Sequence, residues 1–238
     1  MSASAQRQSH RFVALALAMA AVCGNPALAT EEACGSLTDT TLGPITPNDY
    51  RNQRSLLKTV ETFHFTSQVE SLSRGKSSSL GGDINYTLHL YPNHPRALLA
   101  MSRLSERQKM DKPVDAAFTV ECYYDRALRF RPDDHVVRML YATFLMGKGR
   151  KAEARNHVDF VVGAAGDNPL THANAGLLYL DLGDLDAARR QALTAQAAGH
   201  AHPVLIERLR KAGRWDDADA QAPTSSAAAS SAAASAPR

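Results

Sequence analysis

The stretch HANAGLLYLDLGDLDAARRQALTA, His172 to Ala195, decides how this chain folds. It holds two helical patterns separated by one break, with apolar residues recurring at i, i+3, i+4 and i+7 on either side of Gly183-Asp184. Glycine enters left-handed backbone without the penalty a Cβ imposes, so Gly183 stops the first helix and turns the chain. Asp184 follows as the side-chain cap of the second helix. Gly176 and Ala188 are small where two antiparallel helices must face each other closely.

The same pattern stands about 34 residues earlier, and a fixed period of that length signals a repeat architecture. Written as two units, His135 to Asn168 and Pro169 to His202, the chain pairs Ala142 with Gly176, Leu145 with Tyr179, and Gly149 with Gly183. It also pairs Ala154 with Ala188, Val158 with Ala192, and Val161 with Ala195. Pro169 to Gly199 resembles the tetratricopeptide repeat family in its small–aromatic–Gly–Ala pattern. His172 departs from it, standing where the family often has Trp. The resemblance implies an all-α fold, a short TPR-type α-solenoid of helix-turn-helix units.

Outward from these units the pattern loosens. Pro92-Asn93-His94-Pro95 ends one helix and starts another, Arg96 to about Arg107, whose partner runs from Val120 to Phe130. The distance from Pro92 to Pro132 exceeds one period, so this unit is too long, and the excess lies in the polar stretch Glu106 to Ala117. A lengthened turn is the simplest reading. Asp83 to Tyr91 reads as a second helix lacking its first. Pro203 to Arg214 reads as a first helix lacking its second, with Gly213 as its stop and Trp215 covering the end. About three full repeats with flanking half-repeats therefore span residues 83–217, near the minimum such stacks need.

Residues 30–82 form an irregular N-terminal extension. Gly43-Pro44, Pro47-Asn48-Asp49 and Gly81-Gly82 are turn signals, and Arg51 to Phe63 and Ser67 to Leu72 suit short helices. The phrases NDYRN, VETFHFTSQVESLSRGKS and GGDINYTL are similar to a group of small exported bacterial repeat proteins without a defined activity. That resemblance supplies no site.

The ends of the chain read differently. Residues 1–29 carry a basic start (Arg7, Arg11), an apolar run from Phe12 to Val22 and Ala27-Leu28-Ala29, the order of a signal peptide cleaved after Ala29. The expected location is therefore the periplasm or the exterior of a bacterial envelope. The run falls short of the roughly 20 residues a membrane span requires. The tail, residues 218–238, is almost wholly alanine, serine and proline and has no large side chain to bury, so disorder is expected. Loss of Arg7 and Arg11 from 27 basic residues leaves 25 against 24 acidic ones, a balance that argues against a nucleic-acid footprint. It also leaves two cysteines, Cys34 and Cys122, a reasonable disulfide in an oxidising compartment. Two separate buried thiols are the alternative. The bond would fasten the extension onto the first full repeat, closing a loop of about 90 residues for up to roughly 4 kcal/mol.

No catalytic, metal or cofactor signature emerges. Gly75-Lys76-Ser77 resembles the end of a phosphate loop, but Glu70 stands where that motif needs glycine. There is no HExxH, GxSxG or CxxC. His200 and His202 lack companion ligands and read as a solvated helix end. His64 reads as a packed or capping residue, and Glu61 and Glu70 suggest no geometric pair.

Function must then come from a surface. The family resemblance implies a concave face built from places two, five, nine and twelve of each first helix. Those places are Arg96, Leu99 and Arg103; Val136, Met139, Thr143 and Met146; and Leu170, Ala173, Leu177 and Leu180. Methionine adapts to irregular partners and arginine suits a carboxylate. The expected role is a non-enzymatic scaffold or assembly factor, binding an extended or helical protein segment with an acidic group near the arginines. Two alternatives stand beside it: the extension fills the groove itself, or the chain is a hydrolase or transferase subunit with its chemistry on the extension.

Overall fold

The computed structural model describes residues 34–38, 46–216 and 218. The expected signal segment, the Gly43-Pro44 turn and the tail from residue 219 lie outside the described residues. Among the described residues the secondary structure is helical throughout. Two short helices, α1 (Leu57–Phe63) and α2 (Ser67–Glu70), precede α3 (Leu80–Leu90), α4 (Pro95–Gln108) and α5 (Val120–Phe130). The regular part follows as α6 (His135–Gly147), α7 (Lys151–Ala164), α8 (Pro169–Leu182), α9 (Leu185–Ala197) and α10 (Pro203–Lys211). None is long and apolar enough to cross a membrane.

Local chemistry sets these boundaries. Asp134, Asn168, Asp184 and His202 each accept a backbone amide at the start of α6, α8, α9 and α10, filling donors that no intrahelical carbonyl reaches. Gly183 leaves α8 at φ +88°, and Asp184 then caps α9, so a two-residue turn closes the hairpin. Within it, a Cβ on Gly176 would lie 2.6 Å from Leu205 Cδ2 and 3.4 Å from Ala188 O. The small places are thus fixed by close packing of α8 against α9 and α10.

Helix α6 packs on α7, α8 on α9, and α10 lies against both members of the last pair. The first helices α4, α6, α8 and α10 are each in contact with the next. One core gathers Phe65, Val69, Ile84, Leu98, Met101, Tyr123 and Tyr124; another gathers Leu145, Val158, Tyr179, Leu205, Leu209 and Trp215. Tyr141 and Phe144 of α6 touch both, which makes the stack continuous. Trp215 is buried at the end of the second core.

Two starts differ from the sequence expectation. Gly81 and Gly82 lie in the first turn of α3, because Ser79 caps that helix from Gly82 N. A Cβ on Gly81 would fall 1.9 Å from Val114 O, so the glycine is there for a close approach rather than a turn. The approaching segment is the lengthened α4–α5 connection, held to α3 where Ala117 N and Tyr123 Oη donate to Asn85 Oδ1. Helix α1 begins at Leu57 rather than Arg51, since residues 49–53 form a turn, with Gln53 N bonded to Asp49 O at 2.8 Å.

The extension docks through buried polar groups. Asp49, 1 % exposed, receives Arg51, Arg131 and Asn93, with Arg131 Nε 2.6 Å from its Oδ2. Asn93 also donates to Asp134 Oδ2 at 2.9 Å, which ties the extension to the turns before α4 and α6. These partners, Arg51 foremost, hold the Asp49 carboxyl well below the usual carboxylate range against its burial. Cys34 is bonded to Cys122, 88 residues away, at 2.08 Å.

Candidate functional site

Between α6 and α8 the surface opens into an apolar groove of about 280 Å³. Val136, Met139, Leu140 and Thr143 line one wall; Asn174, Leu177 and Leu178 line the other. The two walls come from adjacent first helices, so residues three and four apart on each helix face the same opening. Thr143 donates its hydroxyl to Met139 O at 3.1 Å, within its own helix. Asn174 is then the polar handle of an otherwise apolar wall. Small-molecule sites are enclosed and bury most of their ligand's surface. This groove is open rather than enclosed.

Of the residues expected on the concave face, the structure brings Val136, Met139, Thr143 and Leu177 into this groove. Met146 and Leu180 are half-buried and pack into the second core. Ala173 is buried to 1 % exposure, because this place in α8 turns toward the helix interface. Leu170 stands exposed beyond the groove, and Val136 and Val204, at the equivalent second place of their units, are exposed as well. Leu99 is half-buried on α4. Leu140, Asn174 and Leu178 were not among the expected lining residues. The signal was present in the period: Leu140 and Asn174 stand one repeat apart and face each other across the groove.

The arginine end is altered by the extension. Arg96 sits in a forked ion pair with Glu70, its Nε 2.7 Å from Oε1, and lies 3.5 Å from Glu61. Its guanidinium also rests over the Phe65 ring at 5.7 Å. The pairing with Arg96 lowers the Glu70 carboxyl, which therefore stays charged. Arg96 already has its carboxylates from within the chain. Arg103, at place nine along α4, remains exposed to solvent. The extension thus covers the α4 end of the face, and its described residues leave the α6–α8 groove open.

The remaining candidate groups serve internal contacts. His64 Nδ1 lies 3.0 Å from Asp83 Oδ1, and its ring stacks on Tyr86 at 4.0 Å. The Lys76 and Ser77 amides both donate to Asp83 Oδ2, at 2.6 and 3.1 Å, so the loop that resembled a phosphate cradle holds a carboxylate of its own chain. His202 caps α10 through Leu205 N. Among the described residues no group of three or more His, Cys, Asp or Glu side chains is arranged for a metal ion.

No protein-family model matches the chain, and neither a curated protein nor a solved structure does.

Proposed function

We propose that the protein is an exported TPR-type solenoid, a non-enzymatic scaffold or assembly factor of the cell envelope, which binds a segment of another protein in the α6–α8 groove. The observation that carries this reading is the groove itself: its lining comes from two adjacent repeats, is mostly apolar, and stands open to solvent. The repeat period, the Gly183–Asp184 hairpin and the side-by-side first helices support the repeat assignment. Among the described residues of the extension, the carboxylates Asp49, Glu61 and Glu70 are engaged in intramolecular ion pairs, which favours binding over catalysis on that segment. The partner segment supplies large apolar side chains for Met139 and Leu177, and an acidic group for exposed Arg103.

The test is a paired substitution, Met139→Glu with Leu177→Glu, in the full-length chain. Cross-linked complexes recovered from envelope fractions are compared with those of the wild type, alongside far-UV circular dichroism. The expected outcome is unchanged helicity with loss of the partner band. An unchanged band rejects the groove. N-terminal sequencing of the mature protein tests export, with Thr30 expected as the first residue.

A further inference from the structure

A buried cation lies beside the disulfide. Arg126 is 2 % exposed and follows Cys122 by one turn on α5, so the two side chains share a face. Its Nη1 donates to three successive carbonyls, Cys34 O at 3.0 Å, Gly35 O at 3.2 Å and Ser36 O at 2.7 Å. Arg129, a further turn along, adds a bond from Nη2 to Gly35 O at 3.0 Å, and Asp125 holds it there at 2.7 Å. The Arg126 guanidinium lies 4.4 Å from the centre of the Phe118 ring.

The segment is shaped to this receptor. Three carbonyls can converge on one guanidinium only where the chain curls, and Gly35 supplies the curl at φ +69°. A Cβ there would also press on the Phe118 ring at 3.1 Å. Charge-assisted bonds of this kind are roughly twice as strong as neutral ones. The contacts involve only the backbone of residues 34–36, so none of them requires the sulfur–sulfur bond.

We propose that Arg126 is a positioning residue for the Cys34–Cys122 bond. It captures the Cys34–Ser36 backbone on α5 and presents Cys34 to Cys122 before the sulfurs join. The disulfide then locks a segment that is already docked, and reduction unlocks the segment without releasing it. Closure of an 88-residue separation carries a large entropy cost, which the docking contacts offset before the sulfurs join.

The experiment equilibrates the reduced full-length chain with glutathione and glutathione disulfide. One protein thiolate attacks glutathione disulfide and expels one glutathione thiolate. The second protein thiolate attacks the mixed disulfide and expels another, so two electrons pass from the protein pair to one glutathione disulfide. Acid quenching and mass spectrometry give the oxidised fraction, hence the effective concentration of the two cysteines. Arg126→Ala is expected to lower it about tenfold or more, with Arg126→Lys intermediate because it restores the charge and one donor nitrogen. Gly35→Val, which leaves Arg126 in place but opposes the curl, is expected to lower it as well, and decides the question if Arg126→Ala fails to fold. Wild-type effective concentration in either variant, with helical circular dichroism intact, overturns the proposal.

Discussion

The two halves of the molecule reach a helical stack by different means. From His135 onward, small residues recur at fixed places, and the core is built of Ala142, Ala154, Ala175, Ala187, Ala188 and Ala192 beside Leu145, Tyr179 and Leu205. Before His135, buried polar side chains do much of the joining: Asp49, Asp83, Asn85, Asn93, His94 and Arg126 are all under 9 % exposed. The first mode is local and periodic. The second links residues 19 to 94 positions apart, each through its own partners. The periodic half leaves its first-helix face open to solvent, whereas the polar half spends part of that face on its own extension.

The largest break in this comparison is expected from Asp49→Ala. It removes the acceptor shared by Arg51, Asn93 and Arg131. Hydrogen bonds to charged groups are worth roughly 1.5–3 kcal/mol each, less where the arginine can turn to water, and about 4 kcal/mol in all is expected here. Urea titration reads the loss, and hydrogen exchange should place it in α1, α3 and α4 while α8 and α9 keep their protection. Equal loss in both halves would show that the two are one cooperative unit. Gly81→Ala comes next. Its Cβ would collide with the backbone oxygen of Val114, and moving that connection off α3 is expected to cost about 3 kcal/mol, read as a lower midpoint in the same titration.

The contrast also explains what was legible beforehand. The boundaries of α5, α8 and the α8–α9 turn follow from caps, glycine and helical periodicity, all local rules. The lengthened α4–α5 turn was visible as surplus length in its unit, but its seat on Gly81 was not, since that contact depends on where Val114 lies in space. Arg96 illustrates the limit at the candidate site. Its place in the repeat puts it on the face, yet its pairing with Glu61 and Glu70 depends on how an irregular segment folds back. Val136, Met139 and Leu177 were recoverable because they lie in the half where position in the repeat decides position in space.

Acid should separate the halves further. His94 is fully buried between Tyr50 and Phe65, caps α4 by accepting from Ala97 N, and lies 3.4 Å from Glu61. Burial lowers its pKa to about 3, and the nearby Arg96 and Arg54 charges act in the same direction against Glu70. The unfolded chain binds the proton first, so the neutral-His94 contribution is complete above about pH 6.5 and is lost as pH falls toward 3. Between pH 7 and pH 5 this amounts to about 2 kcal/mol. His94→Asn keeps a capping acceptor but cannot titrate, so its stability should be flatter than the wild type across that window. Parallel pH profiles for the two chains would remove His94 from the account.

The smallest effect belongs to the periodic half. Asp184 caps α9, its Oδ1 2.8 Å from Ala187 N, and its other oxygen receives Arg155 of α7 at 2.6 Å. Asp184→Ala deletes the cap and leaves Arg155, which is partly exposed, to water and to Asp159. An N-cap is worth about 1 kcal/mol, and the solvated ion pair adds little to that. Asp184→Asn separates the two terms, because it keeps the capping oxygen and discards the charge. It should recover most of the loss in thermal unfolding. Were it to recover none, the α7–α9 ion pair would be the dominant contribution, and the periodic half would depend on specific long-range pairing much as the extension does.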